Sequence, residues 1–294
     1  MRWRGCLMVA MLLPATGAAQ IYLDDAERFA RLLANTGGRP SVTELRRGYL
    51  EPGTQALREF AAERIGGAET LALALTRHRS DYEQALELCL PAAEALAARL
   101  PRLQRRVAER LGRVGAPAVS ILFGAGRSGG TVTEAGVSVA LEVLCWFALD
   151  AQDAEALLEE FVVHETVHWH QLRLQQTTAQ DSLLRQALIE GVADFLTGEM
   201  LGRVGRAESA RHQYGLQHEK RLWQAFQNDM DGTSLRHWMY GPGAVGEPAD
   251  LGYWIGKRIA QAYWQSMGRE PAALEALLRL ESPRQLLEQS GYDP

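Results

Sequence analysis

The chain has 294 residues, 47% of them hydrophobic, with 31 basic against 36 acidic side chains and a formal net charge of −5. That length and apolar content suffice for one large packed domain or two small ones. The acidic balance gives no reason to expect nucleic acid or an anionic membrane surface as a partner.

The first residues read as a cleavable secretory signal. Arg2 and Arg4 form a basic start, Cys6 to Leu13 an apolar run, and Ala15-Thr16-Gly17-Ala18-Ala19 a small-residue cleavage site. The apolar run falls well short of the roughly 20 residues of a membrane-spanning helix. Cys6 sits too early for lipoprotein attachment, and no later stretch could span a bilayer. Residues 1–19 are therefore expected to be removed, leaving a periplasmic or secreted protein that starts at Gln20.

Residues 20–112 read as an N-terminal helical region. Acidic Asp24 and Asp25 open a helix that stops at Gly37-Gly38, and Ser41-Val42-Thr43-Glu44 spells a capping box for a short helix reaching Tyr49. Further helical patterns run over about 54–65, 68–76, 81–100 and 103–111. Cys89 and Cys145 are the cysteines left after signal removal. An oxidising compartment permits a bridge between them, and their apolar surroundings suit buried thiols equally well. Neither has the C-x-x-C spacing of a metal ligand.

Residues 113–294 carry the chemistry. Ala118–Phe123 and Gly136–Glu142 read as strands, joined by the glycine-rich Gly124-Ala125-Gly126-Arg127-Ser128-Gly129-Gly130-Thr131. That connection lacks the lysine of a phosphate-binding loop and reads as a flexible turn beside a cleft. Helix formers from Ala154 to Glu160 then lead into Phe161-Val162-Val163-His164-Glu165-Thr166-Val167-His168. This is H-E-x-x-H on a helix. Histidines four apart lie one turn apart on the same face, so both rings can reach one metal ion. Glu165 can reach a water held on that ion and act as its general base. A helix carrying two plain histidines is the bland alternative, but burying that set unpaired is costly. The pattern points to a zinc-dependent hydrolase, a peptidase above all.

A catalytic zinc site needs a third protein ligand. Gln171 and Leu174 stand where a metzincin has Gly and His, which excludes that class. His170 faces away from His168 on a helix, and His212 and His218 lie in polar surroundings that read as surface. Glu190 is the candidate, with Asp194 one turn later on an apolar helix, placed to accept the free N–H of a ligating histidine. Gly191 would let this helix come close to the motif helix. Downstream, His237-Trp238-Met239-Tyr240-Gly241 is aromatic and glycine-bearing. A helix follows from Leu251, in which Gly252 and Gly256 are spaced for close helix contact.

These motifs resemble a bacterial family of zinc-dependent proteases related to gliding-motility lipoprotein B, catalogued as a domain of unknown function. The likeness runs through Asp25…Phe29, Tyr49-Leu50-Glu51-Pro52-Gly53, Ser128-Gly129-Gly130-Thr131, the H-E-x-x-H run, Glu190-Gly191-x-Ala193-Asp194 and Gly252-Tyr253-Trp254-Ile255-Gly256. It implies a zincin-like α+β fold, predominantly helical, with a small sheet before the motif helix. It also implies one Zn²⁺ held by His164, His168 and Glu190 in the gluzincin layout, and a peptide or protein substrate. In that fold an edge strand pairs with extended substrate. Residues 132–142 are the expected edge, with an ordinary internal strand as the alternative. Tyr253 is the expected donor to the developing oxyanion, with His237 and Tyr240 as alternatives. Two rival readings are a non-catalytic zinc-binding envelope module that binds a protein partner, and a zinc hydrolase of a non-peptide amide or ester. An intact Glu165 speaks against the first, since a structural site needs no base.

Overall fold

Four short strands make one mixed sheet in the order β1-β2-β4-β3, surrounded by helices, in a computed structural model that describes residues 20–175 and 182–294. The fold is α+β and mostly helical. The signal-like residues 1–19 lie outside the described residues. β1 (Ile21–Tyr22) and β4 (Gly136–Ala140) both run parallel to β2 (Val119–Leu122), and β3 (Gly130–Thr133) runs antiparallel to β4. β2 and β4 are buried along their whole length. Their run of Val119, Ile121, Val137 and Val139 is the apolar pattern of strands covered on both faces.

One expectation is corrected here. β4 is an internal strand, flanked by β2 and β3, and residues 141–144 beyond it turn helical. The edges are β1 and β3; β3 begins at Gly130, inside the stretch read as a flexible turn, and takes in Val132 and Thr133, the first residues of the expected edge. That stretch is held at its start. The Gly124 and Gly126 N–H groups donate to the buried Glu142 carboxylate at 2.9 and 3.1 Å. Burial pushes the Glu142 carboxyl up to about 7 against those two bonds.

The N-terminal helices brace the same region. Phe29, on helix Asp24–Asn35, stacks on Phe123 with ring centres 4.4 Å apart. The Tyr49 hydroxyl donates to the Phe123 carbonyl at 2.7 Å and accepts its N–H at 2.9 Å, and the Tyr82 hydroxyl donates to the Gly124 carbonyl. Asp25 accepts from the Thr54 backbone and hydroxyl, joining the segments on either side of Gly53 to the first helix. The capping box at Ser41 forms as its sequence requires. The helical pattern over 81–100 is interrupted by a π-helical stretch at Ala85–Cys89.

Cys89 and Cys145 are joined as a disulfide, with Cα atoms 6.1 Å apart across 56 residues of sequence. A bridge closing a loop of that length stabilises by about 4 kcal/mol in the chain-entropy picture. Reduction, or Cys145→Ser, should lower the thermal midpoint by on the order of 10 °C. Calorimetry with and without reductant checks this, and an unchanged midpoint would refute it.

Candidate metal centre

The motif helix, Ala151–Leu174, starts where the Asp150 side chain caps the Asp153 N–H at 2.8 Å. It crosses the sheet beside β3. Phe161 and Glu165, one turn apart on one face, press on Gly129 and Gly130. A Cβ on Gly130 would stand 2.6 Å from Glu165 Oε1, so only glycine leaves that carboxylate its place. The carboxylate helix, Leu183–Leu201, lies alongside, started by a Ser182 cap. The cover helix, Leu251–Ser266, meets it through backbone contact of Gly256 with Ala187 and of Gly191 with Gly256.

Together the two ligand-bearing helices converge three donor atoms. His164 Nε2 and His168 Nε2 are 3.0 Å apart, and Glu190 Oε2 lies 3.3 and 3.0 Å from them. His164, His168 and Glu190 are the group of residues that could hold a metal ion among the described residues. The far side of each ring fixes its tautomer. His164 Nδ1 is 3.1 Å from Asp194 Oδ1. His168 Nδ1 is 2.7 Å from Gln171 Oε1, and that amide is oriented by its own N–H donating to the Ile189 carbonyl at 3.2 Å. Both Nδ1 atoms therefore carry the proton, and both Nε2 lone pairs face the Glu190 oxygen. Three acceptors aimed at one another within hydrogen-bond distance repel unless positive charge stands between them, either a metal ion or, without one, a proton on Nε2. Burial lowers both imidazole pKa values, but Asp194 and Glu190 at His164, and Glu190 at His168, raise them overall.

The charges agree. Glu165, Glu190 and Asp194 are buried carboxylates, and Arg211 beside Asp194 at 2.7 Å supplies one positive charge, leaving two surplus negative charges when all are ionised. That surplus suits a divalent ion. Burial pushes the Glu190 carboxyl up, but the two imidazoles overcome this and hold it well below the usual carboxylate range. Burial also raises the Glu165 carboxyl, opposed by His168, His164 and Arg64, and here burial wins. A carboxylate with an elevated proton affinity is suited to take up a proton.

The centre opens into a cleft of about 900 Å³ lined by Arg64, Arg127, Trp146, Phe161, Tyr240 and Tyr253 among others. The Tyr240 hydroxyl donates to Glu190 Oε1 at 2.8 Å, leaving Oε2 to the histidines. Tyr240 reaches it from a left-handed backbone conformation, φ 59°, which a bulky residue seldom adopts.

The model of a family described as "Predicted Zn-dependent protease (DUF2268)" matches residues 108–282, more than half of the chain. The chain belongs to this family. The match takes in β2 to β4, the motif helix, the carboxylate helix and the cover helix. No curated protein and no solved structure matches it.

The family's zinc assignment agrees with the donor set, and the remaining sequence candidates fall away from it. His170 is buried on another side of the motif helix with its ring edge on Trp169, and burial, helped by Arg113 and Arg173, pushes its pKa down to about 4. His212 and His218 lie on helix Ser209–Asp229, where His218 packs on Tyr214. His237 is exposed. Tyr253 lines the cleft and meets Tyr240 edge-on, ring centres 6.0 Å apart. Three contributors escaped the sequence reading. Gln171 counted only as a residue that excludes a metzincin, Gly130 as turn and as part of the family likeness, and Arg211 only within the polar surroundings of His212. An amide oxygen three residues after His168 on the same helix, placed to accept its Nδ1–H, was the one available signal for Gln171.

Proposed function

We propose that this chain is an exported zinc-dependent metallopeptidase that hydrolyses peptide bonds with a water activated at the metal and Glu165 as general base. The observation that supports it most is the set of three acceptor atoms, His164 Nε2, His168 Nε2 and Glu190 Oε2, pointed at a common centre beside a buried Glu165, which has no ion-pair partner among the described residues, at the floor of an open cleft. One Zn²⁺ bound there would polarise the scissile carbonyl and lower the pKa of a water to near neutrality. Glu165 then takes the water's proton as the water attacks and passes it to the leaving amine. Asp194 and Gln171 keep the two rings in the ligating tautomer, and Arg211 keeps Asp194 ionised. A peptide laid along β3 gains backbone hydrogen bonds at the sheet edge without any particular side chain. Export is supported by the disulfide, which oxidising compartments favour.

Metal removal tests this reading. The purified chain should bind one zinc per molecule, cleave a mixed peptide library, lose cleavage after chelation and regain it with added zinc. Glu190→Ala should fail to retain the metal. Cleavage that survives complete chelation would overturn the proposal, and a zinc-loaded chain that cleaves nothing would favour a partner-binding module.

The oxyanion donor belongs to the Tyr240–Tyr253 pair. Tyr253 is the choice from the sequence, and Tyr240 has its hydroxyl already at Glu190. Tyr240→Phe and Tyr253→Phe separate them. The true donor should cost about 100-fold in kcat with zinc content kept, the size of losing one such hydrogen bond in the transition state. Equal, small losses in both would remove the role from the pair.

A further inference from the structure

The cleft holds two cations that the proposed chemistry does not use. Arg64, on the π-helical stretch Ala61–Ile65, has its Nη2 atom 3.4 Å from Thr131 Oγ1 on edge strand β3. Thr131 follows Gly130, the residue against which Glu165 packs. One strand residue advances about 3.3 Å, so the guanidinium stands beside the substrate positions nearest the bond to be cut. Arg127 lies on the same wall. Its Nη1 is 3.5 Å from the position of a Cβ on Gly66, the residue that ends the stretch carrying Arg64.

Neither cation is held in a close ion pair among the described residues, although Arg64 lies near enough to Glu165 to oppose the rise of its carboxyl pKa. Arg127 forms no hydrogen bond or ion pair among the described residues, and the Arg64 pairing to Glu63 is a 4.0 Å contact between exposed side chains. Such a contact is worth little. Glu63 and Asp250 also line the cleft, while Glu160, Asp194 and Arg211 are committed elsewhere. Glu160 accepts the Arg206 and Ala207 N–H groups, and Arg211 holds Asp194.

We propose that Arg64, with Arg127 beside it, forms a carboxylate-binding subsite on the β3 wall that selects peptides carrying a negative charge within about two residues of the scissile bond. This rests on the peptidase reading above. The carboxylate can come from an acidic side chain or from the peptide's own C-terminus, and a guanidinium receives either with a pair of charge-assisted hydrogen bonds.

The test uses the zinc-loaded chain and its Arg64→Gln, Arg64→Lys and Arg127→Gln variants. Substrates are matched peptides with Glu or Gln at each position near the cut, each with a free or an amidated C-terminus. Wild type should prefer the charged member by roughly 10- to 100-fold in kcat/KM, as expected for one hydrogen bond to a charged group. That ratio should collapse toward one in Arg64→Gln, persist in part in Arg64→Lys, and shrink in Arg127→Gln. A preference that follows Glu whatever the terminus assigns a side chain; one lost on amidation assigns the terminal carboxylate. Equal turnover of charged and neutral peptides by wild type, or an undiminished ratio in Arg64→Gln, overturns the subsite. If wild type cleaves no peptide, the peptidase reading fails separately. Anisotropy of labelled charged and neutral peptides on Glu165→Gln protein then decides the subsite: a binding preference abolished by adding Arg64→Gln supports it, and no preference overturns it.

Discussion

Glu165→Gln should retain a full complement of zinc and lose peptide hydrolysis by about 1,000-fold, within the range for removing a general base. The separation of the two effects is what the geometry demands. The atoms proposed to hold the metal are those of His164, His168 and Glu190, the two rings are oriented from behind by Asp194 and Gln171, and Glu165 takes no part in that network. Glutamine has the same shape and fits against Gly130 as the glutamate does, but it cannot accept a proton at neutral pH. Zinc content by metal analysis and turnover on a library-derived peptide check both halves. Substantial turnover in Glu165→Gln would place the base elsewhere. Loss of zinc would mean that Glu165 belongs to the ligand set.

Gly256→Ala should be among the most damaging substitutions outside the centre, destabilising the fold by about 3 kcal/mol or more. A methyl at 256 would overlap the Ala187 carbonyl and stand 3.1 Å from the Leu188 N atom, both in helix backbone that no rotamer change can clear. The cover helix and the carboxylate helix would have to part. Alanine's helix propensity returns only about 1 kcal/mol. Because Gly191 meets Gly256 directly and Glu190 is its neighbour, the same displacement should weaken zinc binding. Gly198→Ala is the control, since its nearest foreign atoms would lie at 3.4 and 3.6 Å, ordinary contact. Thermal unfolding and zinc titration of both variants check this. A Gly256→Ala protein as stable as wild type would refute the close approach.

Much of the centre was legible because its information is local. The four-residue spacings of His164 to His168 and of Glu190 to Asp194 fix relative direction on a helix whatever the rest of the chain does, and the structure brings His164, His168, Glu190 and Asp194 together. The capping box at Ser41 was legible for the same reason. What depended on distant pairing was not. β3 has four residues, opens with glycine, and becomes an edge only because β4 pairs with β2 on its other side, so the expected edge at 132–142 ran from the end of β3 across the internal β4. The choice between free thiols and a bridge at Cys89 and Cys145 needed their separation in space. Tyr240 and Gln171 earn their positions from long-range packing and from a second hydrogen bond respectively, which no spacing rule conveys.

The segment matched by the family model begins at residue 108, but the sheet does not. Its outermost parallel strand is Ile21–Tyr22, its second strand is tied off by Tyr49 and Tyr82, and the wall carrying Trp146 and Phe147 is stapled through Cys145 to Cys89. Residues outside the matched segment thus help to hold the walls of the cleft in place. A substitution in the upstream third can therefore shift those walls while leaving His164, His168 and Glu190 untouched.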